Sequence, residues 1–496
     1  MKAAAARPPA LPVVAIAIAL AAGGCTVGPT YERPALAVPA DWRTPTTVSA
    51  TAADGAWWTS FGDPAIDALV AEALASSPDI AIAAARVDEY LGRYGQTRAA
   101  QFPAVGLEPG STQVSRQRAS RLAAGIPDGV DAESSLYAAA LSASWELDLW
   151  GRLRRSTDAA RADLLGQEEA RRGVVVSLVA QVVSGYVALR DLDRQLEITQ
   201  ATLASRAESL RIFDLRFRGG VISALQLAQA RAEFQAAAAA VPPLRTRIAQ
   251  QENLLARLAG RNPGPIARGK PLTALAPPPI PAGLPSDLLA RRPDLRRAEQ
   301  DLIAANARIG AARALYYPRI SLTAALGVAS PQLSDLVSGP ARLWNVAGAL
   351  AQPIFDAGRI AGQVAQAEAQ QAQLVAAYRK AVQAAFADVD DALSATARIR
   401  DELGALTEQI DALKTAARLA RLRFDNGYTD FIEVLDAERS LFQAELAQSN
   451  RQGAALASVV DVYKSMGGGW IDVADAKTPA AGARPPAERA DALPVR

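Results

Sequence analysis

Histidine is absent from this 496-residue chain, and cysteine occurs once, at Cys25. These two absences remove His/Cys metal sites, Ser/His/Asp and Cys/His catalytic pairs and any intrachain disulfide. An enzyme that relies on carboxylates or lysine alone stays possible, but most of the usual catalytic vocabulary is gone, and no residue is singled out as catalytic, metal-binding or cofactor-binding. Net charge of one sign is also missing. Lys and Arg number 53 against 51 Asp and Glu, a formal +2, which gives no electrostatic reason to expect nucleic acid as a partner. Beyond the N-terminal segment, no uninterrupted apolar run reaches the roughly 20 residues that a membrane-spanning helix needs. A crossing of the bilayer would therefore have to be made by strands.

The first thing present is an export signal. Lys2 and Arg7 make a basic start, "ALPVVAIAIALAA" is a short apolar run, and "AGGC" closes on Cys25 with small residues before it. The alternative is a general signal peptide with an incidental cysteine. The pattern resembles a bacterial lipobox, with Ala22 where leucine is usual, and implies lipidation of Cys25 as the first mature residue. Thr26 follows it, where aspartate is associated with inner-membrane retention, so the resemblance favours the outer membrane.

The body of the chain is written twice. "RFRGGVISALQLAQA" from Arg216 is answered by "RFDNGYTDFIEVLDA" from Arg423 at an offset of 207 (423 − 216), and Gly151-Arg152 is answered by Gly358-Arg359 at the same offset. Upstream, "SPDI" at Ser77 pairs with "RPDL" at Arg292 at an offset of 215 (292 − 77), so the first copy carries eight extra residues (215 − 207) between Pro103 and Gly151. A period this long indicates a duplicated domain.

The segmentation that follows is a signal peptide over 1–24, an extended anchored segment over 25–63, repeat 1 over 64–260, a Pro-rich connector over 261–285, repeat 2 over 286–470 and a disordered Ala/Pro-rich tail over 471–496. Each repeat reads as a helix, a β-hairpin and a long helical hairpin. The expected spans are a helix at 64–101, strands within 103–149 and a helix at 151–217, then a helix at 286–315, strands at 318–328 and 341–355 and a helix at 358–424.

Val182, Leu189, Leu196, Leu203, Leu210 and Phe217 recur at sevenfold spacing, and Val389, Thr396, Leu403, Ile410, Ala417 and Phe424 repeat the series. Heptads sustained this long predict coiled-coil packing, along a helix of roughly 100 Å at about 1.5 Å per residue. The strands alternate: Tyr137, Leu141, Trp145, Leu147 and Leu149 against Ser142, Ser144, Glu146 and Asp148, then Ile320, Leu322 and Leu326 against Arg319, Ser321 and Thr323. Period-two alternation suits a membrane strand, apolar toward lipid and polar toward a lumen, and a soluble sandwich would show it too. Four strands cannot close a membrane barrel alone, so a spanning reading requires oligomerisation.

"CTVGPTYERP", the two R-F-x-x-G turns, "LLARRPDLRRAEQDLIAANARIGAARALYYPRISL", "PIFDAGR" and "VYKSMGGGW" together resemble the outer membrane factor family of tripartite efflux systems, over essentially the whole mature chain. The resemblance implies a mixed α and β membrane protein. In it a homotrimer closes one twelve-stranded outer-membrane β-barrel, continued by a periplasmic α-helical coiled-coil barrel. It further implies a lipid-anchored efflux channel for small molecules that docks on a periplasmic adaptor and is fed by an inner-membrane transporter. The contact tips would be Gly219, Gly220, Val221, Gly427, Tyr428 and Thr429. Alternatives are an exit duct for secreted proteins and a structural coiled-coil lipoprotein.

Just past the second tip, Glu433 and Asp436 stand three apart and so share a helix face. In the family such residues point into the closed periplasmic end, where threefold symmetry makes them rings and a gate. The first copy has Gln226 and Gln229 there. An ordinary solvated helix face is the competing explanation. "GPIARGKP" from Gly264 mimics a phosphate-binding loop, but Pro271 stands where Ser or Thr would hold magnesium and no strand precedes it, so no nucleotide site is expected.

Overall fold

The computed structural model describes residues 26–44, 55–116, 133–280, 285–338 and 341–479. The signal segment and Cys25 lie outside the described residues. Proline sets the first boundaries. Asp63 caps α1 (Pro64–Ser76) by accepting from the Ala65 N–H at 2.9 Å, with Pro64 at the first helical position, where its missing N–H does no harm. Ser77 is extended ahead of Pro78, so the single helix expected over 64–101 is two, α1 and α2 (Pro78–Ala99).

The second copy breaks at the matching place. Arg292, extended before Pro293, separates α5 (Leu288–Arg291) from α6 (Pro293–Arg313), so the continuous helix expected over 286–315 is also interrupted. Among the described residues the remaining α-helices are α3 (Arg152–Arg218), α4 (Ala224–Leu258), α7 (Arg359–Asp425), α8 (Phe431–Met466) and the short α9 (Trp470–Asp475). In α3 and α7 every heptad position except Phe217 is buried or half-buried, which bears out the coiled-coil reading.

The chain falls into two compact units. The first comprises Met1–Pro34, Glu89–Gly166 and Glu299–Ala377 and holds the sheet. Strands β1 (Ala104–Arg116), β2 (Glu133–Leu147), β3 (Arg319–Ser330) and β4 (Arg342–Ala351) are all antiparallel in the order β1-β2-β3-β4. Register aligns the side chains into rows. Leu107, Leu141, Leu326 and Trp344 form one apolar row and Val105, Ala143, Ala324 and Val346 another, while Gly106, Ser142, Ala325 and Asn345 occupy a row of the opposite face. The register of β1 shifts between Glu108 and Ser111, at Pro109, which has no N–H to give the ladder.

Aspartates start both long helices. Asp148 accepts from the Leu153 and Arg154 N–H groups, and Asp356 from those of Gly358 and Ile360. The N-terminal segment is strapped to this unit. The Val27 N–H donates to the Trp150 carbonyl, the Asn306 amide donates to the Pro29 carbonyl, and Arg33 makes a bidentate pair with Glu299 at 2.6 Å.

The second unit comprises Ala35–Asp88, Gln167–Ala298 and Tyr378–Arg496. By composition α3, like the stretch Pro64–Ala99, is long and apolar enough to cross a bilayer, where no spanning helix was expected beyond the N-terminal segment. However, 61% of its apolar window is buried, and Val175, Val179, Val182, Val183 and Tyr186 are core residues. They share that core with Trp57, Trp58, Phe61, Tyr463 and Trp470; Trp57 stacks on Tyr463 at 4.8 Å and meets Trp470 edge-on at 6.0 Å. Two expectations are corrected here. Residues 57–61 form a 3-10 turn with three buried aromatics, where an extended segment was expected. The tail expected to be disordered from 471 begins as α9, held by the burial of Trp470, Ile471 and Ala474.

The phosphate-loop mimic has a structural role. Asp63, fully buried, accepts from Tyr186 Oη and the Lys270 N–H, both at 3.0 Å, while Tyr186 Oη accepts from the Gly269 N–H at 2.8 Å. A Cβ at residue 269 would lie 1.8 Å from Asp63 Oδ1, so only glycine fits. Burial pushes the Tyr186 hydroxyl up to about 12, which keeps it protonated as the donor to Asp63.

Candidate functional site

The two tips are built alike. After α3, the Val221 N–H donates to the Arg216 carbonyl at 2.9 Å and the Gly220 N–H to the Phe217 carbonyl at 2.9 Å. After α7, the Tyr428 N–H donates to the Arg423 carbonyl at 2.9 Å and the Gly427 N–H to the Phe424 carbonyl at 3.0 Å. These are paired 6→1 and 5→2 closures of a helix end. Gly220 and Gly427 have φ of 69° and 75°, and nothing lies within 4 Å of a Cβ built on either. The requirement for glycine is therefore conformational and not one of space. Gly219 has no positive φ and belongs to the tip by position alone.

Large apolar groups at the tips face solvent. Val221 is 75% exposed and Tyr428 79%, with Leu225 also open. Thr429 is intermediate in exposure. Behind them a small core locks the two turns together: Phe213 stacks on Phe424 at 5.8 Å and packs on Phe431 at 4.2 Å, with Val434 and Leu435 buried alongside.

The duplicated sequence diverges immediately after this core. In the first copy Ser223 and Gln226 form a reciprocal capping box at the start of α4. In the second, Asp430 makes no side-chain cap, and Glu433, the counterpart of Gln226, reaches across the turn to Arg423 at 3.4 Å. Asp436 lies 3.7 Å from Arg439, and both acidic residues are exposed. Thus the structure places Glu433 and Asp436 on the first turns of α8, each opposite an arginine of the same chain.

Charged residues not singled out from the sequence surround them. Arg216 pairs with Asp425 at 3.8 Å, joining the ends of α3 and α7. Arg421 stands 4.0 Å from Glu438, whose carboxyl burial raises above the usual glutamate range even though Arg421 and Arg206 oppose the shift. Glu233 on α4 binds both Arg206 of α3 and Arg439 of α8. The RFxxG repeats bracket Arg216 and Arg423, but their partners come from other helices and carry no local signal. Among the described residues, no group of three or more Asp, Glu, His or Cys could hold a metal ion.

The outer membrane efflux protein family model matches residues 69–261 and 284–468, one segment in each copy. The solvent efflux pump outer membrane protein SrpC of Pseudomonas putida is 38% identical over 469 residues, covering 93% of this chain and 98% of its own. Among solved structures, that of CusC superposes with a TM-score of 0.81 at 32% identity, covering 90% of this chain and all of its own. The open-state structure of the MtrE outer membrane channel of Neisseria gonorrhoeae superposes with a TM-score of 0.79 at 33% identity, covering 90% of this chain and 99% of its own. The chain belongs to the outer membrane efflux protein family, as the outer-membrane channel of an efflux pump.

Proposed function

We propose that this channel is a passive, gated homotrimeric conduit for small organic molecules, docked on a periplasmic adaptor and energised by an inner-membrane transporter. The observation that carries the trimer is the open sheet. Strands β1 and β4 each have a free edge, which lipid does not tolerate, and three copies of four strands close a twelve-stranded barrel with no edge left. The row of Leu107, Leu141, Leu326 and Trp344 faces lipid, and the row of Gly106, Ser142, Ala325 and Asn345 lines the lumen. The helical hairpins continue the conduit into the periplasm.

Gly219, Gly220, Val221, Gly427, Tyr428 and Thr429 are the adaptor contacts. The glycines set the turn, and Val221 and Tyr428 supply the apolar anchors. Glu433 and Asp436 become two carboxylate rings under threefold symmetry, each carboxylate held by Arg423 or Arg439 of its own chain, and together they form the gate. A lipid on Cys25 adds an anchor to the outer membrane, beside the strap that joins Val27 to Trp150.

The substrate class rests on relatives named for export of solvents, toluene and antibiotics, at 34% to 38% identity, with a cation efflux relative at the lower end of that range, 34%. A test is to delete the gene and challenge the strain with an apolar solvent such as toluene and, separately, with a toxic metal cation. Loss of solvent tolerance, restored by the intact gene, supports the proposal. Loss confined to metal tolerance contradicts it.

A further inference from the structure

Arg206, Glu233, Arg439 and Asp436 form one continuous chain of alternating charge across three helices. Glu233 Oε2 is 2.6 Å from Arg206 Nη1, which also donates to the Glu233 carbonyl at 3.2 Å. On the other side, Arg439 Nε donates to Glu233 Oε1 at 2.7 Å, and Arg439 Nη2 donates to the same oxygen. The Arg206 and Glu233 side chains are each only 8% exposed, whereas Arg439 is 50% exposed and goes on to meet Asp436. The Arg206 guanidinium also lies over the Phe442 ring of α8, 5.7 Å from its centroid.

Placing a carboxylate in so dry a position is unfavourable unless it is fully paired, and a buried ionic group is better suited to selecting one arrangement than to adding stability. Glu233 belongs to the first hairpin, and its second arginine belongs to the second. The duplication sharpens the point: the positions equivalent to Arg206, Glu233 and Arg439 in the other copy are Leu413, Ser440 and Ala232. The chain of charge is therefore no inheritance of the repeat. It occurs once, where the first hairpin meets the second within one protomer, next to the acidic pair that only the second hairpin carries.

We propose that Glu233 is a positioning residue that clasps the second hairpin to the first and, through Arg439, holds Asp436 in the closed arrangement. The role rests on the reading of Glu433 and Asp436 as the gate. Glu233 itself touches no cargo and acts only through Arg439. Loss of the clasp frees α8 and lets the acidic pair move with it.

The test is a double-mutant cycle on the purified full-length trimer in planar bilayers: wild type, Glu233→Gln, Arg439→Gln and both together, with Glu433→Ala/Asp436→Ala alongside. Each single substitution is expected to raise open probability by about tenfold, the scale of one charge-assisted hydrogen bond. The double variant is expected to open no further, because both changes break the same link. Arg439→Gln leaves the buried Arg206–Glu233 pair intact, so it reports on the clasp even if Glu233→Gln fails to fold.

Additive opening overturns the clasp, and so does a lowered melting temperature with unchanged open probability. If the clasp variants stay closed while Glu433→Ala/Asp436→Ala opens, the clasp fails and the gate stands. If the clasp variants open in the non-additive pattern while the acidic pair does nothing, the clasp stands and the gate lies elsewhere on α8.

Discussion

Arg423 and Glu433 face each other across the second helical turn with 3.4 Å between Nη1 and Oε2. In the first copy, Arg216 instead pairs with Asp425 and Gln226 with Ser223. One fold, written twice, thus ends in a turn capped by its own Ser223 and Gln226, with its arginine given to the other copy, and a turn whose acidic residue is held by the half-exposed arginine of its own hairpin. That difference is the structural basis for assigning the moving part to the second hairpin.

The tips separate conformation from contact. Gly220→Ala and Gly427→Ala force an alanine to positive φ and should each destabilise the turn by roughly 1–2 kcal/mol, seen as a lower melting temperature by circular dichroism. Val221→Ser and Tyr428→Ser should leave melting unchanged and weaken adaptor binding in a pull-down with the purified adaptor. Unchanged binding would remove these side chains from the docking surface.

The sheet faces are distinguished by charge. Leu326→Arg places a cation on the row assigned to lipid and should cost about 2–4 kcal/mol near the bilayer midplane, read as loss of heat-resistant trimer from outer-membrane fractions. Ala325→Arg, one residue away on the opposite face, should assemble normally. Equal loss in both would contradict the assignment of faces.

Glu438 gives a pH prediction. Its folded-state pKa is raised, first by burial, above the ordinary value of 4.5. The protonated carboxyl thus favours the fold below about that pH, and the contribution is lost as pH rises through the raised value. Glu438→Gln removes the penalty of ionisation, so the variant should melt higher than wild type at pH 7, with the gap closing below pH 4.5. A gap that persists in acid would point to packing instead.

The Asp63 anchor tests the connector. Asp63→Ala strands the Lys270 and Ala65 N–H groups and the Tyr186 hydroxyl in a buried site. One unpaired buried group costs about 1–3 kcal/mol, so the variant should show a clear drop in melting temperature. Tyr186→Phe should cost less, since it strands only the Gly269 N–H and leaves Asp63 its two backbone partners.

What was legible in the sequence is what recurs at short range. The heptads of α3 and α7, the glycines of the two turns and the alternation in β2 and β3 each depend on neighbours within a few residues, so periodicity exposed them. The break at Pro78 was missed because apolar periodicity continues on both sides of it. Trp57 and Trp58 lie far along the chain from Tyr463 and Trp470, and nothing local shows that the two pairs share a core. The Glu233 to Arg439 pair spans 206 positions and was invisible for the same reason. Glu433 and Asp436 were singled out by their spacing, their place beside the tip, their contrast with Gln226 and Gln229 and the family resemblance, whereas the arginines beside them emerged only from the fold.

The central claim is that this channel is closed by the acidic pair of the second hairpin. Single-channel conductance of the purified trimer in planar bilayers, wild type beside Glu433→Ala/Asp436→Ala, tests it most directly. The account predicts rare, small openings in the wild type and frequent, larger steps in the variant. Conductance steps of the same size and frequency in both proteins would contradict it.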